Sequence, residues 1–310
     1  MTSDPNSILA SAATDKSRDS VNSNSGSGAA QPLEPALFIV STPIGNLRDI
    51  TLRALDVLRQ ADEVLAEDTR VARKLLDAYD IRTKITPYHD HNGSQRRPQI
   101  LAQLAAGQSI ALISDAGTPL ISDPGWKLAR DVIESGHRII PLPGASAMLA
   151  GLVTSGLPTD RFMFCGFLPP RSAARIKTAK SLSGVPASLI FYESGARLAS
   201  CLQDLVVALG GDRDAAIGRE LTKLFEETRR GSLANLAATY QELPTPKGEI
   251  VLMLGPPANS EPSNDDIANA LRGAMKDKSV KAAVAEVSET LGLPRRQVYQ
   301  HALTLKNGAK

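Results

Sequence analysis

The apolar residues of the chain form short continuous runs, separated by segments with helical spacing. Leu37–Val40 and Ile110–Ile113 are apolar throughout, as is typical of strands buried on both faces. Gly- and Pro-rich loops follow them, and helical spacing then resumes, as in Trp126–Glu134. This repeat predicts a mainly parallel sheet with its loops along the carboxyl edge. The predicted strands of this half are Leu37–Val40, Glu63–Ala66, a segment near Ile85, Ile110–Ile113 and 138–142. Of the predicted helices, one begins near Asp49, one begins at 67–70, two cover 97–106 and Trp126–Glu134, and the last ends near Gly156.

A second α/β unit is predicted from about residue 161. Its strands are expected at 162–165, 187–192, 214–220 and Glu249–Leu254, and its helices at 173–181, Gly195–Leu209 and 233–243. The expected fold class is therefore α/β with two α/β domains, 36–158 and 159–256. A cleft between two such domains is a frequent ligand site.

The two ends of the chain differ from this α/β pattern. Residues 1–35 are rich in Ser, Asn, Gly and Ala and predict a disordered leader. After a Pro/Asn/Ser linker at 256–264, residues 265–310 predict a helical, basic extension. Val280–Leu291, a Gly-Leu-Pro turn and a helix at 295–305 form a helix-turn-helix pattern, with Arg295 and Arg296 opening its second helix. We expect this pair to contact nucleic acid, although such hairpins also serve for packing or dimerisation.

The stretch from Ser114 to Gly125 is the most unusual in the sequence. Two Gly, two Pro and two Asp fall within its last eleven positions, directly after an apolar strand and before a helix. Loops of this kind at the carboxyl edge of an open α/β sheet commonly bind small ligands. An ordinary turn that happens to be rich in Gly and Pro is the alternative.

Composition and charge narrow the class of protein. The chain has 310 residues, 42% of them hydrophobic and 4% aromatic, and no apolar stretch approaches the roughly 20 residues that span a bilayer. Cys165 and Cys201 lack metal-ligand spacing and suit a reducing cytoplasm. The scattered histidines predict no metal site. The net charge is +2, but residues 271–310 contain eight Lys or Arg against three acids, which points mildly to nucleic acid.

The motifs for several common ligands are missing. The sequence has no P-loop for a nucleoside triphosphate, no G-x-G-x-x-G for a dinucleotide and no G-x-S-x-G nucleophile elbow. The loops that follow the strands near Thr42, Asp115 and Gly144 also lack Lys and Arg, so they do not favour phosphate. A small cation or zwitterion that carries a ribose fits them better, and S-adenosylmethionine matches that description.

A series of sequence blocks then resembles one known family. The first block is Phe38-Ile39-Val40-Ser41-Thr42-Pro43-Ile44-Gly45-Asn46-Leu47-Arg48-Asp49-Ile50-Thr51, and the others, in order, are 66–70, 89–92, 114–125, 141–144, 166–169, 190–194, 219–223 and 247–249. Together they resemble the family of small-subunit ribosomal RNA methyltransferases I, within the tetrapyrrole methylase superfamily. The resemblance implies S-adenosylmethionine in the cleft, a homodimer, and transfer to the 2'-hydroxyl of a cytidine in the decoding region of 16S rRNA.

The resemblance also suggests roles for particular residues. Methyl transfer to a ribose hydroxyl needs a nearby base, and Asp68 or His91 is our hypothesis for it, with a helix cap and a surface turn as their structural alternatives. Arg70, Arg219 and Lys223 are expected to hold the RNA backbone, unless they are merely solvated charges. The residues implied to bind the cofactor are Thr42, Pro43, Gly45, Asp115, Gly117, Thr118, Gly144, Ser146, Ala147 and, with weaker support, Tyr192, Leu221 and Glu249.

Two other functions are compatible with these residues. The same superfamily methylates tetrapyrrole carbons, although the basic tail and the scarcity of aromatic residues argue against a macrocyclic substrate. The chain could also be a non-catalytic ribosome assembly factor that only holds the cofactor.

Overall fold

The structure is a computed structural model and describes residues 32–123, 125–257, 264–275, 277–291 and 293–307. Most of the predicted leader, at 1–31, and most of the predicted linker, at 258–263, lie outside the described residues. Among the described residues, no helix combines the length and the apolar character needed to cross a bilayer.

The first sheet has five parallel strands in the order β3-β2-β4-β1-β5. Because successive side chains of a strand point to opposite faces, Phe38 and Val40 pack in one core layer and Leu37 and Ile39 in another. The strands are β1 (Leu37–Val40), β2 (Glu63–Ala66), β3 (Ile85–Pro87), β4 (Ile110–Ile113) and β5 (Ile139–Leu142), and the helices are α1 (Leu52–Gln60), α2 (Thr69–Ala78), α3 (Gly93–Ala105) and α4 (Trp126–Glu134).

Helix α5 (Ala147–Ser155) follows β5 along the chain but packs on the second sheet. A Cβ added at Gly151 would lie 3.0 Å from both Met253 Sδ and Val251 Cγ1, so the helix approaches the sheet closely there. Leu152 joins the same buried cluster. The loop before α5 therefore connects the two sheets.

The second sheet has five strands in the order β6-β7-β10-β8-β9, and only β6 and β7 run parallel. Strand β9 has the sequence Glu-Thr-Arg-Arg-Gly-Ser and was not predicted, because an edge strand this polar has no apolar alternation. The strands are β6 (Phe162–Phe167), β7 (Ser188–Ser194), β8 (Asp214–Arg219), β9 (Glu227–Ser232) and β10 (Glu249–Leu254), with helices α6 (Ser172–Ser181), α7 (Gly195–Leu209) and α8 (Leu233–Glu242).

The C-terminal part contains α9 (Asn264–Ala274), α10 (Val280–Leu291) and α11 (Arg295–Asn307). They share a small core that includes Ile267, Leu271, Val284, Val287 and Val298. The sequence predicted a helical extension over 265–310 and, within it, the α10–α11 pair, but it did not predict α9 as a separate helix. The predicted fold class, two α/β units and a helical extension, is confirmed, and the domain boundaries at 158/159, 256 and 265 stay predictions.

Candidate active site

Two loops at the carboxyl edge of the first sheet are joined by hydrogen bonds. They follow the neighbouring strands β1 and β4. The Thr42 N–H donates to Gly117 O at 2.9 Å, and the Gly117 N–H donates to Thr42 O at 3.0 Å. The buried Thr42 hydroxyl also donates to Ser114 O at 3.1 Å. These contacts hold the two loops as one unit.

The loop after β5 is attached to the same unit. The Ser41 hydroxyl donates to Thr118 Oγ1 at 3.1 Å, and the Thr118 hydroxyl donates to Ala145 O at 3.3 Å. A Cβ added at Gly144 would lie only 2.6 Å from Ser41 Cβ. Only glycine fits at position 144 without a shift of the neighbouring loop.

The central loop of this unit has an unusual backbone. Gly117 and Gly125 have φ values of 80° and 125°, and the non-glycine residues Leu120 and Ser122 have φ values of 72° and 62°. Left-handed conformations at non-glycine residues are strained and occur often at functional sites. In the loop with this backbone, the Leu120 side chain packs against the core, whereas Ile121 and Asp123 line a cleft.

A cleft of about 400 Å³ lies between these loops and the second sheet. Its volume is within the range of small-ligand sites, about 300–1,000 Å³. The first α/β unit contributes the loops around Asp115 and Ser146, and the second contributes Tyr192, Leu221 and Glu249. None of the described residues that line the cleft is Lys or Arg.

The structure gathers most of the residues expected to bind the cofactor. Asp115, Gly117, Thr118, Ser146, Ala147, Tyr192, Leu221 and Glu249 line the cleft. Of the rest, Thr42 and Gly144 lie behind it in the contacts between the loops. Gly45 contacts the side chain of Lys223, and Pro43 is half-buried in the same loop. Their cofactor roles stay predictions.

Four carboxylates line the cleft, and their surroundings differ. Asp115 accepts the Asp68 N–H at 3.1 Å, Glu193 lies 3.2 Å from the Arg197 guanidinium, and Glu249 pairs with Lys223. The fourth, Asp123, belongs to none of the ion pairs found within the described ranges.

The pKa of the Asp123 carboxyl lies above the usual value for an aspartate. Burial, and then the negative charges of Glu67 and Asp115, raise the pKa of Asp123 to about 6. Burial and the same neighbour Asp115 also raise the pKa of Glu67. Asp123 therefore holds its proton to a higher pH than an ordinary aspartate does, and no Lys or Arg lines the described part of the cleft beside it.

The two predicted bases lie elsewhere. Asp68 is the N-cap of α2: its carboxylate accepts the Arg70 N–H at 2.8 Å and pairs with the Arg70 guanidinium at 2.7 Å. These contacts hold the pKa of Asp68 well below its usual range. His91 is exposed before α3, with its ring 5.9 Å from that of His89. Neither residue lines the cleft, so this geometry favours the helix cap for Asp68 and the surface turn for His91.

The predicted RNA contacts fall into two groups. Arg219 pairs with Glu227 at 3.2 Å, and Lys223 is held between Glu220 and Glu249, so the charges of both are already compensated. Arg70 is 87% exposed beside Asp68. Arg295 and Arg296 are exposed at the first turn of α11. Because Arg70 also pairs with Asp68, at 2.7 Å, Arg295 and Arg296 are the better placed of the five to meet a phosphate.

Some lining residues were not singled out from the sequence. Asp123 belongs to the Gly- and Pro-rich loop Ser114–Gly125, but no feature of the sequence distinguishes its chemical role from that of Asp115. Phe167 lies in the sequence block 166–169, and its ring packs edge-on against that of Tyr192, with ring centroids 5.7 Å apart. Val251 is one of several apolar residues in β10, and no sequence signal marks it as a cleft residue.

Comparison with known proteins gives the class first. A family model described as "Tetrapyrrole (Corrin/Porphyrin) Methylases" matches residues 36–237, so the chain is a member of this methylase class. A solved cobalamin biosynthetic enzyme, cobalt precorrin-4 methyltransferase, superposes with a TM-score of 0.54 at 15% identity, covering 71% of this chain and 95% of its own. At that identity the likeness shows the fold.

The more particular family follows from closer relatives. A protein of Mesorhizobium japonicum is 51% identical over 278 residues, covering 90% of this chain and 95% of its own. A protein of Synechocystis is 44% identical, covering 87% and 98%. Both are named ribosomal RNA small subunit methyltransferase I, and a model described as "RsmI C-terminal HTH domain" matches residues 261–306. The chain belongs to the ribosomal RNA small subunit methyltransferase I family, as its motifs predicted.

The chain is therefore a methyltransferase, and its cofactor is S-adenosylmethionine. The residues present fit this molecule. Apolar and aromatic side chains, among them Ile44, Val251 and Tyr192, form one wall of the cleft and suit an adenine ring. The carboxylates and the absence of Lys and Arg from the described lining suit a sulfonium and an amino group. Within the part of the chain that is described, no group of three His, Cys, Asp or Glu could hold a metal ion.

Proposed function

We propose that this protein transfers a methyl group from S-adenosylmethionine to the 2'-hydroxyl of a cytidine in the decoding region of 16S rRNA. The observation that carries the choice of RNA is the C-terminal unit α9–α11. The precorrin methyltransferase covers 71% of this chain with 95% of its own length, whereas residues 261–306 match the helix-turn-helix model of the ribosomal RNA family. The extension adds an exposed pair of arginines, Arg295 and Arg296.

The joined loops and the second sheet would hold the cofactor. Backbone groups near Gly117 and Ala147 and the carboxylate of Asp115 are the polar partners, and Leu221 and Tyr192 close the apolar side. When bound, S-adenosylmethionine supplies an electrophilic methyl group on a positively charged sulfur. The rigid loops contribute by fixing the reacting partners in line, which accounts for much of the acceleration in such displacements.

Asp123 is the proton acceptor that this geometry supports best. A ribose hydroxyl is a weak nucleophile until its proton leaves, and a positioned base contributes roughly 10²- to 10⁴-fold. Among the carboxylates of the cleft, Glu193 and Glu249 are bound to cations and Asp115 accepts a backbone N–H. Asp123 is the one whose pKa, about 6, is matched to proton transfer near neutral pH.

The homodimer implied by the resemblance is part of the proposal. Two elements that follow each other along the chain expose large apolar side chains: Leu149 and Val153 on α5, and Phe162 and Met163 on the edge strand β6. Exposed apolar patches often mark contacts between subunits.

We also propose a cytoplasmic location, because an rRNA methyltransferase acts where ribosomes are made.

The experiment that tests the function is methyl transfer from labelled S-adenosylmethionine to small ribosomal subunits from cells that lack this protein. Nuclease digestion and mass analysis would then identify the modified nucleoside. We expect label in a 2'-O-methylcytidine from the decoding region. Label in another nucleoside would contradict the assigned acceptor.

The same assay separates the two alternatives. Transfer to a tetrapyrrole carbon and not to RNA would support a C-methyltransferase, which has the same fold. Cofactor binding without transfer to any RNA or tetrapyrrole would support a non-catalytic assembly factor. Calorimetric titration with S-adenosylmethionine provides the binding measurement in either case.

A further inference from the structure

The hairpin loop 220–226, between β8 and β9, exposes two large apolar side chains beside the cleft. Leu221 points inward, is 6% exposed and lines the cleft. Leu224 and Phe225 are 89% and 67% exposed. We call these two residues the apolar tip. One short loop thus provides both a wall of the cleft and an outward-facing aromatic group.

The loop is held in a defined conformation. Glu220 and Thr222, on either side of Leu221, have φ values of 51° and 68°, which non-glycine residues adopt only under constraint. The Thr222 N–H donates to Glu226 Oε2 at 2.6 Å, and the Lys223 N–H donates to Glu220 O at 2.9 Å. The Lys223 ammonium also binds Glu220 Oε1 at 2.8 Å. The apolar tip is therefore presented by a structured turn and not by a loose loop.

We propose that Phe225 stacks on an unpaired nucleobase of the RNA substrate, with Leu224 packing beside it. This inference rests on the proposed function. Single-stranded RNA is commonly recognised through bases that stack on aromatic side chains. The loop carries two glutamates, Glu220 and Glu226, against one lysine, Lys223. Stacking tolerates this excess of negative charge, because it depends on the face of the base and not on the phosphate.

The size of the apolar tip favours a base over a protein partner. A stable protein interface buries about 800 Å² on each side, whereas one large aromatic side chain supplies about 150–250 Å². Leu224 and Phe225 together fall well short of such an interface, yet the Phe225 side chain, 67% exposed, is large enough to contact one base.

The position of the apolar tip favours the substrate RNA in particular. Phe225 lies four residues after Leu221, so its Cα is within about 14 Å of the cleft wall. The ribose of a nucleotide reaches such a cleft most readily from a single-stranded segment, whose bases can be splayed out of their stack. Phe225 can then hold either the splayed-out base or the base exposed next to it.

The test compares Phe225→Ala, Phe225→Trp and the control Val207→Ala. Val207 is also 67% exposed, but it lies near the end of α7, twelve residues after the helix begins at Gly195. At a rise of 1.5 Å per residue, Val207 lies roughly 18 Å along the helix axis from Gly195. The measurements are kcat and KM for small subunits, the Kd for S-adenosylmethionine, the Tm and the oligomeric state of each variant.

We expect Phe225→Ala to raise the KM for RNA roughly 5- to 150-fold, which is the range of one lost stacking contact. Phe225→Trp should restore it, and the Kd for S-adenosylmethionine and the Tm should not change. An unchanged KM in Phe225→Ala, with an active wild type, would overturn the stacking contact and leave the methyltransferase function intact. Dissociation of a dimer in Phe225→Ala would instead assign the apolar tip to a second copy of the chain. A wild type that methylates no RNA would overturn the proposed function and the stacking contact with it.

Discussion

Replacing Asp123 with asparagine should lower the rate of methyl transfer and raise stability at the same time. The side chains are nearly equal in size, so the change removes the charge and the proton-accepting oxygen. If Asp123 is the base, Asp123→Asn should reduce kcat by roughly 10²- to 10⁴-fold. With neither substrate saturating, wild-type kcat/KM should rise with pH through about 6, which is the pKa that burial and neighbouring acids give Asp123.

The stability change follows from the same pKa. The folded protein raises the pKa of Asp123 from 3.8 to about 6, so it binds the proton more tightly than the unfolded chain does. Wild-type stability therefore falls as the pH rises from about 4 to 6, and the full penalty is present at pH 8. At 1.36 kcal/mol per pKa unit, and allowing for solvent screening, the penalty is about 1–3 kcal/mol. Asp123→Asn should raise the Tm by a few degrees at pH 8 and leave it unchanged near pH 3.5.

The assay is steady-state methyl transfer between pH 5 and 9 together with thermal melts of the same preparations. Asp56→Asn is the matched control: Asp56 is a 66% exposed carboxylate on α1, and its replacement should alter neither measurement. A kcat in Asp123→Asn close to that of the wild type would refute the base assignment. A Tm of Asp123→Asn below that of the wild type at pH 8 would refute the conclusion that burial and like charges destabilise the ionised Asp123, whatever the kinetics show.

Three further changes test the loops and the C-terminal helices. Asp68→Ala should lower the Tm, because it removes the cap of α2, but should leave kcat/KM unchanged; a large loss of kcat would make Asp68 a candidate base again. Gly144→Ala should weaken binding of S-adenosylmethionine in calorimetry, because its Cβ would lie 2.6 Å from Ser41 Cβ, and Ser41→Gly should restore part of the affinity. Paired replacement of Arg295 and Arg296 by alanine should reduce the slope of log K against log salt for RNA by about 1–2, with no effect on cofactor binding; an unchanged slope would indicate that α11 only packs.

The first sheet could be predicted from the sequence because parallel strands are buried on both faces. Continuous apolar runs such as Ile110–Ile113 therefore appear directly in the sequence, and a turn-rich loop marks the end of each. The second sheet was less predictable. Its antiparallel pairs depend on contacts between distant segments, and β9 (Glu227–Ser232) lies at an edge where polar side chains are tolerated.

The loops of the site could be predicted, but the chemical role of each carboxylate could not. Asp68, Asp115 and Asp123 all occur in turn-rich segments, and the sequence does not show which charged side chains surround each of them in the folded protein. The difference comes from three-dimensional neighbours: Arg70 binds Asp68, whereas Glu67 and Asp115 repel charge at Asp123.

The cleft depends on how one segment joins the two sheets. The loop after β5 contacts Thr118 through Ala145 O, and Ser146 and Ala147 then line the cleft. Directly afterwards α5 packs on β10 of the second sheet, where Gly151 lies against Val251 and Met253. The residues that bond to the central loop and those that dock on the opposite wall are therefore only a few positions apart. Because this connection is short and well packed, the spacing between the two walls is set by the packing of α5, and the cleft needs both α/β units to form.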